Sequence, residues 1–177
     1  NWENVKHLFT SDVIGNYNPL SNLVLGIEHQ VLEGTDHYHL GFHLTNVLLH
    51  LLCVFLVFQI LKSLGFNDIS ATFATLLFAL HPMRVESVTW ITEIKDVLYG
   101  AFYFGSIYTY LKHVQRKKKG VSWWSWALFI IGLFAKIQMV VLPVSLVLID
   151  YYVGKKDLIK SSVSKWMYFI PALAMGI

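Results

Sequence analysis

Residues 76–102 read LLFALHPMRVESVTWITEIKDVLYGAF, from Leu76 to Phe102. Both ends are apolar enough for the interior of a membrane. Between them stand six ionisable side chains in sixteen residues: His81, Arg84, Glu86, Glu93, Lys95 and Asp96. Pro82 ends the apolar run that leads in, because proline lacks an amide proton and its ring clashes with the preceding helical turn. A helix that stops short leaves irregular backbone near membrane depth, tolerated only where protein or a water-filled cavity covers it. Charges at that depth face a cavity or one another. The stretch predicts one wall of a polar cavity in an otherwise greasy protein.

The rest of the chain supports that setting. Of its 177 residues 55% are hydrophobic, 15% aromatic and 14% charged, and the mean hydropathy is +0.53. A soluble domain carries about 25% charged residues. The fold class expected is all-α: a polytopic transmembrane helical bundle with broken helices and a re-entrant or amphipathic segment on the non-cytoplasmic face. Apolar runs predict spans over 40–61, 69–80, 97–111, 123–134, 139–152 and 166–177. The run 123–148 is too long for one crossing at a rise of ~1.5 Å per residue, so it is divided near Ala135–Gln138, around Lys136. All of 1–177 is taken as part of one transmembrane domain. Asn1 in place of Met and the apolar run cut at Ile177 mark a fragment. The single cysteine, Cys53, reads as a small buried hydrophobe.

Orientation follows from the basic residues. If the spans alternate, ten of the fourteen Lys and Arg fall on one side, in loops around Lys62, 112–119 and 155–165. The positive-inside rule assigns that side to the cytoplasm. Residues 1–39, the 81–96 cluster and Lys136 then share the opposite, non-cytoplasmic face.

Residues 1–39 read as a loop with interfacial helices. Trp2 to Phe9 suits a short amphipathic helix. Pro19–Gly34 reads helical, with Leu20, Leu23, Val24, Ile27 and Val31 on one stripe. Glu28 and His29 near its end are undistinctive. His39 and His43 stand four apart, with His37 and His50 nearby, a spacing that can hold a metal. No acidic or Cys ligand sits at motif spacing, so the expectation is no metal site, with His39 and His43 the weak candidates.

In the cluster, a continuous helix over 84–96 would align Glu86, Trp90 and Glu93 on one stripe. Asp96 would neighbour Glu93, with Arg84 and Lys95 placed to pair with acids. Carboxylates can act as general bases toward a hydroxyl, and cations can hold a phosphate. Such a pocket suits a sugar or a phosphate; a solvated interfacial helix with ordinary ion pairs is the plainer alternative. Lys136 either snorkels to the interface or neutralises a phosphate at the cavity rim.

Three blocks carry a resemblance: NWENVKHLFT with GNYNPLSNLVLGIEHQVLEGTDHYHLGFHLTNVLLHLL, LLFALHPMRVESVTWITEIKDVL, and IGLFAKIQMVVLPVSLVLIDYY. In order and spacing they resemble the membrane half of transmembrane-and-tetratricopeptide-repeat (TMTC-type) proteins and their bacterial counterparts. The most specific piece runs from His81-Pro82 through Glu86, Trp90 and Glu93 to Lys95-Asp96-Val97-Leu98. The resemblance implies a GT-C type glycosyltransferase core. It would take a sugar from a polyprenyl-phosphate carrier, dolichyl phosphate in eukaryotes, on the non-cytoplasmic side. Animal members are similar to protein O-mannosyltransferases acting on Ser or Thr. The matching positions are His81, Glu86, Glu93, Lys95, Asp96 and Lys136. No tetratricopeptide repeat is visible in these residues.

The mechanism expected is inverting transfer, with a carboxylate upstream of Asn1 as base, since the family's acidic pair lies before the WENV block. Asp12 shares that loop but not the motif. Arg84, Lys95 or Lys136 would stabilise the leaving phosphate. Partners implied are the lipid-linked donor, a hydroxyl acceptor such as protein Ser or Thr, and membrane lipids; none is a nucleic acid. No cofactor is implied beyond the polyprenyl- or dolichyl-phosphate sugar, and a divalent metal is left open. Bacterial inner membrane and eukaryotic ER membrane both fit. The rival readings are a catalytically inactive anchor for a repeat scaffold, and a transporter.

Overall fold

The computed structural model describes residues 18–36, 38–117, 120–154 and 164–176. The expected helix at Trp2–Phe9, His37, and most of the 155–165 loop lie outside them. Among the described residues there are eight α-helices, two 3-10 segments and no strand.

Helix α1, Pro19–Leu32, starts with proline at its first position, where the missing amide proton costs nothing. Its expected apolar stripe docks only in its first half: Leu20, Leu23 and Val24 are half-buried, Ile27 is 53% and Val31 70% exposed, and Ser21 is buried. The reason is a hydrogen bond: Ser21 Oγ donates to Ala135 O at 3.0 Å, which turns the Ser21 face inward.

Helix α2, Tyr38–Ser63, buries Phe42, Asn46, Cys53, Leu56 and Ile60 on one stripe. Its other faces expose leucines and phenylalanines. At 26 residues it is about 39 Å long, and it alone among the described helices is long and apolar enough to cross a membrane. Gly65, at φ +93°, ends it. The Phe66 amide reaches back to Leu61 O at 3.1 Å, the bond pattern of a glycine-stopped helix. Asn67 then caps α3, Asp68–Ala79, by accepting from the Ser70 amide at 2.8 Å.

The opening stretch does not form one helix over 84–96. It forms α4, Met83–Thr89, then Trp90 in an extended conformation, a 3-10 turn at Ile91–Glu93, and α5, Ile94–Gln115. The predicted stripe of Glu86, Trp90 and Glu93 is therefore broken. Val88, Thr89, Ile91 and Thr92 are all β-branched, which lowers helix propensity at that point, and Asn46 of α2 binds the freed carbonyls.

Helix α5 is the hub. It runs beside α2 and is tied to its far end by Gln115 Nε2 donating to Ser63 O at 2.7 Å. On its other side it meets α6, Trp123–Ala135, where small residues let the backbones approach. A Cβ on Gly132 would lie 3.0 Å from Phe102 Cβ and 2.8 Å from Met139 Cε. The split expected near Ala135–Gln138 occurs there: Lys136 is extended (φ −160°, ψ 136°), a 3-10 segment covers Ile137–Val141, and α7 spans Leu142–Tyr152. Helix α8, Trp166–Gly176, closes the described chain. The core lies between α5, α6, α7 and α8, around Phe129, Leu111, Met139, Leu142 and Leu146.

The apolar runs near 69–80, 123–134, 139–152 and 166–176 fall on shorter apolar helices of 10–17 residues. Helix α5 is 22 residues long, but Lys95, Asp96 and Lys112 near its ends reduce its apolar character.

Candidate functional site

The site assembles where helices break. His81 precedes proline, which pushes a residue away from helical geometry. Its carbonyl accepts the Arg84 amide at 2.8 Å and its Nδ1 accepts the Met83 amide at 3.2 Å. His81 thus starts α4, and it is exposed.

Broken helices leave carbonyls without partners, and a buried carbonyl needs one. Helix α2 supplies the donors. Asn46 Nδ2 donates to Trp90 O at 3.0 Å and lies 3.5 Å from Val88 O. His50 Nε2 donates to Ala79 O, the end of α3, at 3.2 Å. Cys53 Sγ donates to Val97 O at 3.6 Å. These residues, four and then three apart, lie on one face of α2. A Cβ on Gly100 would sit 3.2 Å from Cys53 Sγ, so glycine permits that approach. Val97 lies inside α5, so its bond to Cys53 braces the helix rather than a break; the third break, at Ala135, is held by Ser21. None of Ser21, Asn46 and Cys53 was a predicted site residue, and His50 stood only beside the weak metal candidates. The 46/50/53 spacing is the signal that could have found three of them.

On this frame the structure joins residues far apart in sequence. Lys136 Nζ donates to Asp96 Oδ1, linking the break after α6 to the start of α5. Both side chains are partly buried, at 19% and 27% exposure. One residue from Asp96, Lys95 Nζ lies 3.1 Å from Glu93 Oε1. The two lysines are thus neutralised, and each carboxylate keeps a second oxygen. Arg84 differs: its guanidinium lies 5.1 Å above the Phe78 ring, and it has no carboxylate within 4 Å among the described residues. From Phe78 an aromatic series runs through Phe104 and Tyr103 to Tyr99, with ring centroids 5.5, 5.6 and 5.6 Å apart. Glu86 is exposed and makes no ion pair among the described residues.

The remaining candidates stand apart. His39 is exposed and meets Tyr38 edge-on at 5.2 Å, and His43 is half-buried. No group of three His, Cys, Asp or Glu that could hold a metal occurs among the described residues. Glu28 is more distinctive than its sequence. Both carboxylate oxygens are shut off from solvent without a hydrogen-bond partner among the described residues. Burial pushes its carboxyl above the ordinary value of 4.5, and the nearby Thr45 hydroxyl donates to Gly41 O at 3.3 Å rather than to it.

At the opposite end of α5 lies a second buried constellation, none of it among the predicted site residues. Asp150 and Lys165 are 1% and 2% exposed. Lys165 Nζ lies 2.6 Å from Asp150 Oδ2, and Tyr110 OH donates to Asp150 Oδ1 at 2.7 Å. The acid stands at the end of an apolar run, where an ionisable residue is a functional or structural signal by default.

The chain is similar to known proteins. The protein O-mannosyl-transferase tmtc2 of Xenopus laevis is 32% identical over 132 residues, 69% of this chain. Human TMTC2, of the same description, is 30% identical over the same length. Drosophila melanogaster Tmtc2 is 30% identical over 106 residues, 60% of this chain and 11% of that protein. The chain spans about 15% of the length of the frog and human relatives. No solved structure matches. Residues 21–177 match the dolichyl-phosphate-mannose-protein mannosyltransferase description, and the chain belongs to that family.

Proposed function

We propose that this chain forms part of the substrate-binding wall of a membrane glycosyltransferase. The enzyme moves mannose from dolichyl phosphate, or a related polyprenyl phosphate, to a protein Ser or Thr hydroxyl. Transfer takes place on the non-cytoplasmic face of the ER membrane or, in a bacterial counterpart, of the inner membrane. The acceptor oxygen attacks the anomeric carbon, the bond from that carbon to the phosphate oxygen breaks, and polyprenyl phosphate leaves. The hydroxyl proton passes to a carboxylate, assigned to sequence upstream of Asn1.

The observation that carries this reading is the contrast among the three cations. Lys95 and Lys136 are held by Glu93 and Asp96, whereas Arg84 sits above Phe78 with no carboxylate within 4 Å among the described residues. Arg84 is therefore the group for the leaving phosphate, since a preorganised cation stabilises charge that develops in the transition state. Glu93 Oε2 and Asp96 Oδ2, the oxygens not used by lysine, accept hydrogen bonds from sugar or acceptor hydroxyls. The aromatic series beside them offers ring faces to the sugar. His81 and Glu86 have lesser roles, as a helix starter and an exposed carboxylate.

Arg84→Gln, Glu93→Gln and Asp96→Asn in the full-length protein each lower transfer at least about tenfold, about 1.4 kcal/mol of transition-state stabilisation. The check is mannose transfer from dolichyl phosphate mannose to an acceptor peptide, at matched expression. Wild-type turnover in all three variants would leave the membrane half as an anchor for the remainder of the protein.

A further inference from the structure

The hairpin from α5 to α6 encloses a cavity of about 710 Å3, at the end of the molecule away from the Asp96–Lys136 pair. Thr109, Lys112, His113 and Arg116 from the end of α5 line it together with Trp123 and Trp124 of α6. No carboxylate lines it among the described residues. His113 Nε2 donates to Gly120 O at 3.1 Å, which commits its ring to the backbone and leaves Lys112 and Arg116 as the cations of the cavity. Lys112 lies 5.3 Å over the Tyr108 ring. Neither cation has an acid within 4 Å among the described residues. Standing four apart on a helix, two like charges repel; an anion shared between them reverses the sign of that interaction.

We propose that this cavity binds the phosphate of an anionic phospholipid headgroup. The proposal rests on the reading that the helices cross a membrane with the basic loops cytoplasmic. Lys112 and Arg116 take the phosphate oxygens, a pairing that charge-assisted hydrogen bonds favour. Trp123 and Trp124, 64% and 79% exposed, stand at the mouth. Tryptophan prefers headgroup depth, where its ring is apolar and its N–H is wet. From there α6 continues as WWSWALFIIGLFA, with Ile131 still 43% exposed, an apolar track for acyl chains. A soluble phosphate would use the cations but has no use for the indoles or the track, which is why a lipid is the occupant chosen. Juxtamembrane cations attract anionic headgroups in this way.

The test uses the full-length protein in nanodiscs of phosphatidylcholine with and without phosphatidylserine, with retained lipid counted by native mass spectrometry. Wild type retains phosphatidylserine in preference to phosphatidylcholine. Lys112→Gln with Arg116→Gln lowers that preference roughly tenfold or more, and Lys112→Arg keeps it. Lys62→Gln also keeps it, because Lys62 is already paired with Asp68 at 2.6 Å. Arg116→Gln alone, at an exposed position, gives the same reading at smaller size if the double variant does not fold. Equal retention in wild type and variants overturns the lipid site, as does displacement of the lipid by soluble glycerophosphate. Release of the protein from membranes by alkaline extraction is a separate outcome, which overturns the membrane reading itself.

Discussion

Asp96 and Lys136 are forty positions apart, and their pairing is what a membrane demands of two charges near helix breaks. Asp96→Asn leaves a partly buried lysine unpaired and is expected to cost about 1–3 kcal/mol of stability. Lys136→Met added to it recovers part of the loss, because the second change removes the stranded charge. A double-mutant cycle on thermal unfolding in detergent checks this; additive effects would show that the pair is not coupled. Glu28 makes a prediction of opposite character. A carboxyl whose folded pKa is raised contributes stability that is fully present below its unfolded pKa, near 4.5. The contribution is lost as pH rises through the folded value. Glu28→Gln should therefore melt increasingly above wild type as pH climbs from about 4 to 8, and a constant gap in melting temperature would refute the assignment. At this scale the sequence named Asp96 and Lys136 as sharing one face. It left the lysine open between snorkelling and a phosphate role, because a pairing across forty residues needs the helices in place.

For the helices, the punctuation in the sequence was readable where proline or glycine supplies it. Pro82 and Gly65 mark the ends of α3 and α2, and the long run 123–148 divides at Lys136. The break at Trp90 has no such mark. It arises from a β-branched neighbourhood of modest helix propensity and from the Asn46 amide, which reaches it from another helix. Asn46→Leu is thus expected to destabilise the protein by about 1–3 kcal/mol, the cost of leaving buried carbonyls unpaired. Asn46→Asp is worse, since a carboxylate cannot donate to them. Thermal unfolding of both variants in detergent gives the order, and a leucine variant as stable as wild type would remove Asn46 from this role. The α1 stripe was legible as a pattern, but its burial in the first half alone was not: apolar periodicity says which face is greasy, while Ser21 anchors the half that docks.

Across the whole molecule, helix order places the cluster 81–96 and Lys136 at one end and the hairpin 112–123 at the other. The positive-inside rule, from lysine and arginine alone, predicts that the hairpin end faces the cytoplasm. Cysteine labelling measures the orientation. Cys53 is the single cysteine of this chain and is buried. With other cysteines removed, Glu86→Cys should react with an impermeant maleimide only from the non-cytoplasmic side, and Arg116→Cys only from the cytoplasm. Labelling of both from one side would invert or abolish the topology. The buried Asp150–Lys165–Tyr110 group escaped notice because Lys165 looked like one more member of a basic loop. Only the docking of α8 against the 137–141 segment, α6 and α7 turns it inward.

The donors on α2 also bear on how the protein is made. This helix alone among those described could enter a bilayer unaided, and it would enter with Asn46, His50 and Cys53 aligned on one side. Helices α3 and α4 are short, α5 carries charges near its ends, and the backbone between them is irregular. For them the α2 face is a ready-made dock. During synthesis α2 would hold place until its neighbours arrive, so that the chain matures by accretion onto an already inserted segment rather than by independent insertion of each one.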